Sequence, residues 1–181
     1  MATGLQVTHR LENVGDRPAP AAVGAHPYLR LGDTPVGELK LIVNAERHLE
    51  VDGWMIPTGE QVPVPGARLG YRDGRLLNDD SLDDTWTGLR FEADGSSKHG
   101  LQSPDGSRVE LHMDANFKFI QVFTAPAFPG TGGPVRAVAL GPMTAPANAF
   151  NNGMGLRGWL RARPGKPRGG LCTGPRSPSD E

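Results

Sequence analysis

Chemistry in this sequence starts with five histidines, His9, His26, His48, His99 and His112. Their spacing matches neither a zinc-finger pattern nor His-Glu-x-x-His, so no metal site is expected. His9 and His112 fall inside alternating, strand-like stretches, and His48 and His99 lie in polar surroundings. Those four read as surface or satisfied core histidines. His26 differs, because it stands between Gly24-Ala25 and Pro27 in a segment that leaves a strand. Small neighbours let backbone and ligand approach closely, and histidine is the usual acid or base near neutral pH. On residue chemistry alone, His26 reads either as a functional acid or as one more structural histidine.

Asp79, Asp80, Asp83 and Asp84 gather around Ser81-Leu82 and run into Thr85-Trp86. Asp79 and Asp80 read as a solvated acidic loop. For the later pair a second reading stands beside that one. A carboxylate can accept hydrogen bonds from vicinal sugar hydroxyls while an aromatic ring packs on the apolar face of the pyranose. The run Gly130-Thr131-Gly132-Gly133-Pro134 fits neither a P-loop nor a dinucleotide fingerprint, and no helix pattern follows it. No Gly-x-Ser-x-Gly elbow and no recognisable Cys-His pairing occurs.

The elements that must position these residues read as short strands. Leu5 to Glu12 alternates with period two, as do Phe117 to Thr124 and, less sharply, Arg108 to Met113. Further strands are expected at Leu39–Val43, from Leu49 into a turn and a short extended piece to Gly59, at Leu89–Ala93 and at Val135–Leu140. Asp94-Gly95 and Asp105-Gly106 are turn signals. Pro63 to Gly66 and Ala125 to Pro134 read as loops. Many short strands between Gly, Pro, Asp and Asn turns predict an all-β antiparallel sandwich. The organisation expected is a partial sandwich domain over residues 1–156, followed by a disordered Arg/Gly/Pro-rich tail over 157–181.

Composition narrows the function classes. The 181 residues carry a formal net charge of −1, which gives no general pull toward nucleic acid or anionic lipid. Gly and Pro number 25 and 17, which disfavours long helices. Cys172 is the single cysteine, so no intrachain disulfide can form. No apolar run reaches the roughly 20 residues needed to cross a bilayer. Met1 to Leu5 lacks the charged start and apolar centre of a signal peptide, so a cytoplasmic location is expected.

Several stretches, taken in order, resemble the aldose 1-epimerases (galactose mutarotases). They are Asn13 to Pro20, Gly24-Ala25-His26-Pro27-Tyr28-Leu29, Ile56-Pro57-Thr58-Gly59, Leu82-Asp83-Asp84-Thr85-Trp86-Thr87, Val122-Phe123-Thr124, and Pro142-Met143-Thr144 through Asn148-Ala149-Phe150-Asn151. The resemblance runs from about Leu5 to Leu156. It implies the family's large antiparallel β-sandwich and its reaction, the interconversion of α and β anomers of free aldoses such as glucose and galactose. In that reaction a carboxylate base takes the proton of the C1 hydroxyl and a histidine protonates the ring oxygen. The ring opens, C1–C2 rotates, and closure gives the other anomer. No metal or organic cofactor is implied. His26 matches the acid and Asp83 the aspartate that binds sugar hydroxyls, with Tyr28 and Trp86 as further expected substrate contacts.

Three departures qualify the resemblance. The family's base is a glutamate directly before Pro-Met-Thr, and here that position is Gly141. Losing a general base commonly costs about 10²–10⁴-fold in rate. The family's segment before His-Pro-Tyr, which supplies an arginine and a second histidine, has almost no counterpart here. The family's closing Leu-x-Pro-Gly turn and strand give way to Arg/Gly/Pro-rich chain, as a frame shift near Gly158 would produce. Three readings follow: an impaired epimerase, a non-catalytic sugar binder, or the product of a gene fragment.

Overall fold

Alternating side chains need a partner strand before they become a sheet, and the turns decide which strands meet. In the computed structural model, which describes residues 4–64, 66 and 68–159, the strands are β1 (Ala19–Ala21), β2 (Tyr28–Leu29), β3 (Lys40–Ile42), β4 (Ala45–Val51), β5 (Pro57–Pro63), β6 (Arg75–Leu76), β7 (Asp83–Leu89), β8 (Ser97–Gln102), β9 (Arg108–Met113), β10 (Phe119–Phe128), β11 (Val135–Met143) and β12 (Arg157–Trp159). One turn of 3₁₀ helix spans Val36–Glu38, and one short helix, α1, spans Ala149–Asn152. The Asp105-Gly106 signal closes the β8–β9 hairpin. Gly106 takes a positive φ of 87°, and Asp105 Oδ1 accepts the Ser107 N–H at 2.9 Å.

Six strands form one antiparallel sheet in the order β2-β11-β10-β7-β4-β5, and four form another in the order β6-β3-β8-β9. The core draws on both. Leu41, Leu101 and Met113 from the smaller sheet join Trp86, Ile120, Val122, Val138 and Leu140 from the larger one. The molecule is therefore an antiparallel β-sandwich, as its alternation predicts. A fully buried Leu or Ile contributes about 1.5–3 kcal/mol of gross stabilisation, so this cluster is what holds the sheets together.

The other face of the six-stranded sheet carries the remaining side chains. Ladder partners put Tyr28, Ala139, Phe123 and Asp83 in one row across β2, β11, β10 and β7. The next row on the same face runs Gly141, Gln121, Thr85, Leu49 and Gln61. The segment around α1 lies over part of this face. A Cβ added at Gly155 would fall 3.0 Å from the Phe119 ring, and one at Gly59 would fall 3.9 Å from Met154 Cε.

The structure departs from the sequence reading at five places. Residues 4–13 form no strand, and Leu5 is 92% exposed; alternation alone does not supply a ladder. Leu89–Ala93 is not a strand, because β7 begins earlier, at Asp83, and ends at Leu89. β10 runs on through Ala125 to Phe128, where a loop was expected. β8, with the polar sequence Ser97 to Gln102, gave little apolar signal, yet Ser97, His99 and Leu101 alternate into the interior. Arg157–Trp159, expected to open the tail, pair with Ala19–Ala21 as β12. The rest of the expected tail, 160–181, lies outside the described residues.

Candidate functional site

His26 is carried along β11 by backbone bonding. Gly24 bridges to Met143, the Ala25 N–H donates to the Pro142 carbonyl at 3.1 Å, and the Leu140 N–H donates to the Pro27 carbonyl at 3.2 Å. The His26 side chain is exposed and sits against two rings, Tyr28 at 5.1 Å and Phe123 at 5.9 Å between centroids. Tyr28 in turn packs on Phe128 at 4.4 Å. Among the described residues the His26 ring is held by these ring contacts rather than by hydrogen bonds. Gly141 lies beside it. A Cβ there would fall 2.9 Å from the Ala25 carbonyl oxygen and 3.5 Å from Gln121 Cβ. The strand pair closes around a glycine, and a side chain enters only if the backbone moves.

Asp83 opens β7 at the far end of the row. Its neighbour Leu82 is buried and clamped by Thr124. The Leu82 N–H donates to Thr124 Oγ1 at 2.7 Å, and the Thr124 N–H donates to the Leu82 carbonyl at 2.9 Å. The Asp83 carboxylate stays exposed and accepts the Gln121 side-chain N–H at 2.7 Å. Gln121 Oε1 in turn accepts the Thr85 hydroxyl. The Asp83 backbone N–H donates to Asp84 Oδ2 at 3.2 Å. A carboxylate with remaining acceptor sites, beside an amide and a hydroxyl, is equipped to bind a polyol.

Asp84 faces the opposite way, toward a buried histidine. His48 Nε2 lies 2.9 Å from Asp84 Oδ1, and His48 Nδ1 lies 2.7 Å from Glu50 Oε1. Ionised carboxylates only accept, so the state that satisfies both contacts is the imidazolium, with each ring nitrogen donating. Burial pulls its pKa down, but the hydrogen bonds and charges of Asp84 and Glu50 outweigh burial and hold it above 6.5. His99 shows the other outcome. It is buried with only neutral partners, accepts the Asn44 N–H on Nδ1 at 3.1 Å and meets Ser97 Oγ on Nε2 at 3.0 Å. Burial pushes its pKa down to about 4.

Asp80, expected in a solvated loop, is bound. It accepts the Tyr71 hydroxyl at 2.6 Å and pairs with Arg75 at 2.7 Å. Burial, reinforced by the Asp80 hydrogen bond, raises the Tyr71 pKa to about 12. Arg136 on β11 donates to the Asn78 and Asp80 carbonyls, which ties this loop to the sheet beside Asp83.

The row thus brings Tyr28 and Asp83 onto one face, with His26 against Tyr28 and Phe123. Trp86 is not among them, and its expected role as a sugar platform is corrected. It is fully buried on the core face, its indole N–H donates to the Leu69 carbonyl at 3.0 Å, and Tyr71 packs edge-on against it at 5.9 Å. Alternation puts neighbours Thr85 and Trp86 on opposite faces, so Trp86 cannot share a ligand with Gln121. Residues not singled out from the sequence are Gln121, Thr85, Phe123 and Glu50, while Asp84, weighed there as a sugar-binding carboxylate, partners His48 instead. Gln121 was visible as the polar step between two apolar positions of β10, but nothing local marked it as a ligand for Asp83. Trp54, at the β4–β5 turn, is 86% exposed. Among the described residues no group of three His, Cys, Asp or Glu side chains is placed to hold a metal ion.

Comparison with known proteins places this geometry. A family model described as aldose 1-epimerase matches residues 2–162. The uncharacterized protein YihR of Escherichia coli (strain K12) is 27% identical over 165 residues, covering 91% of this chain and 49% of that protein. A galactose mutarotase-like protein from Clostridium acetobutylicum superposes with a TM-score of 0.71 at 14% identity, covering 92% of this chain and 50% of that one. The GalM/aldose epimerase homologue from C. elegans superposes with a TM-score of 0.62 at 23% identity, covering 86% and 50%. At these identities the superpositions establish a shared fold. The chain spans about half the length of the relatives it matches.

Proposed function

The chain belongs to the aldose 1-epimerase family, and from that premise we propose that the second face of its six-stranded sheet takes up a free aldohexose of the glucose or galactose type. The observation that carries this reading is the single row from Tyr28 through Phe123 to Asp83, with His26 packed on its aromatic end. Asp83, oriented by Gln121, accepts hydrogen bonds from sugar hydroxyls. The Tyr28 and Phe123 rings offer apolar surface for the pyranose. His26 is the acid that delivers a proton to the ring oxygen. No metal or cofactor enters the reaction. A cytoplasmic location, where free aldoses occur, belongs to the same reading.

Ring opening also needs a base at the C1 hydroxyl, and Gly141 has no side chain to serve. Solvent must take that proton, so anomer interconversion proceeds about 10²–10⁴-fold more slowly than with a complete acid–base pair. The closed space at Gly141 favours a second reading, a sugar-binding protein without catalysis. The chain packs tightly around the glycine instead of leaving a gap where a carboxylate would fit. Polarimetry on freshly dissolved α-glucose or α-galactose separates the two. Mutarotation above the buffer rate that disappears in His26→Ala supports the epimerase. Saturable binding by calorimetry with no acceleration supports the binder. Absence of both overturns the proposal.

A further inference from the structure

A chain of hydrogen bonds through the buried His48 ends on the Asp83 backbone N–H. Glu50, His48 and Asp84 stand in sequence at 2.7 Å and 2.9 Å, and the second Asp84 oxygen receives the Asp83 N–H at 3.2 Å. His48 is buried, with 5% of its surface exposed, and stacks edge-on to Trp86 at 5.7 Å between centroids. The charged groups facing it are Glu50 on its own strand and Asp84 on β7, while its register partner on β5 is the uncharged Val62. No part of the expected acid–base chemistry uses this imidazole. Its geometry has one charge state that satisfies every group, the imidazolium donating to both carboxylates.

We propose that His48 is a positioning residue for sugar binding: as an imidazolium it pins Asp84, Asp84 caps the Asp83 N–H, and Asp83 is thereby held in register to receive sugar hydroxyls. The proposal rests on the reading of Asp83 as a sugar contact. When His48 loses one proton, one of its two nitrogens becomes an acceptor facing a carboxylate, and that contact turns repulsive. Asp84 is the partner that continues to the site, so its release frees the start of β7. The affinity for sugar then depends on a group on the opposite face of the sheet from the ligand, and it weakens as pH rises.

The test uses the full chain, isotopically labelled, followed by NMR from pH 5 to pH 9, with calorimetric titration of D-galactose and D-glucose at the same pH values. The His48 ring should remain protonated above pH 6.5, and the Asp83 amide resonance should move in step with the loss of that proton. Sugar affinity should fall about fivefold to tenfold through the same step, the scale of one ordinary hydrogen bond. His48→Gln should remove the pH step from both readouts. An Asp83 amide that stays still while His48 titrates in the unmodified protein overturns the proposal, whatever the variant does. A pH step that persists unchanged in folded His48→Gln also overturns it. Sugar binding that survives in Asp83→Ala instead overturns the assignment of Asp83 as the contact, and the amide titration still decides whether His48 positions it.

Discussion

At the Asp83 end of the sheet row, Gln121, Thr85, Asp84, His48 and Glu50 hold one another through directed hydrogen bonds. At the Tyr28 end, among the described residues, His26 leans on the rings of Tyr28 and Phe123, beside a glycine where a side chain enters only if the backbone moves. The first region fixes the orientation of a carboxylate, which is what recognising a polyol requires. The second offers an imidazole and apolar ring surface, with no carboxylate at position 141. The difference teaches that, on the proposed reading, the contacts that would hold a sugar are more completely built than those that would open one.

The contrast can be broken most forcefully from beneath. Trp86 lies directly behind the Asp83 end, touching both His48 and Tyr71. Trp86→Ala should cost about 3–5 kcal/mol in a urea melt, the scale for emptying a large buried aromatic site. A loss under 1 kcal/mol would mean that this end is not anchored in the core.

A second, slightly smaller effect comes from the two buried histidines, whose signs oppose. His99 is neutral in the folded chain with a pKa of about 4, against 6.5 when unfolded. The unfolded chain takes up the proton first, so stability is full above pH 6.5 and falls by about 3 kcal/mol as pH drops through 4. His48 has a folded pKa above 6.5. Its contribution is full below pH 6.5 and is lost as pH rises through the folded value. Urea midpoints against pH should therefore decline on both sides. His99→Gln should flatten the acid limb only, and His48→Gln the alkaline limb only.

Asp83→Ala removes the carboxylate that the built end orients. It should weaken sugar binding by about 10- to 100-fold, corresponding to one charge-assisted hydrogen bond, as read by calorimetry. An unchanged affinity would reverse the comparison and move recognition to the aromatic end. Gly141→Glu is the smallest and sharpest probe. Its Cβ meets the Ala25 carbonyl, so the variant should lose about 1–3 kcal/mol of stability and fail to accelerate mutarotation. A stable variant that gains activity would show that the aromatic end is a catalytic site missing a single group.

Much of the fold was legible locally. β9 and β10 announced themselves by alternation, β11 was expected as a strand over Val135–Leu140, and Asp105-Gly106 announced its turn. β8 was hidden because Ser97 and His99 are polar residues that satisfy each other inside the sandwich. β7 was hidden because Asp83-Asp84 reads as a loop until β10 and β4 flank it. In the site, the His26 segment and Asp83 were marked by their motif. Gln121 and His48 were not, because Thr85, Asp83 and Asp84 lie 36 to 38 residues from them and only Glu50, two residues from His48, is local.

By itself the sequence determined the all-β class, the turns, the residues that share a strand face and the absence of a carboxylate at position 141. Those are properties of single residues and of a two-residue period, and they need no partner. Only the tertiary structure decided which face of each strand met the second sheet. That choice sent Trp86 into the core, turned Asp84 toward His48 and left Asp83 outside. Period two separates the faces of a strand but does not say which one is buried; register and packing between sheets do.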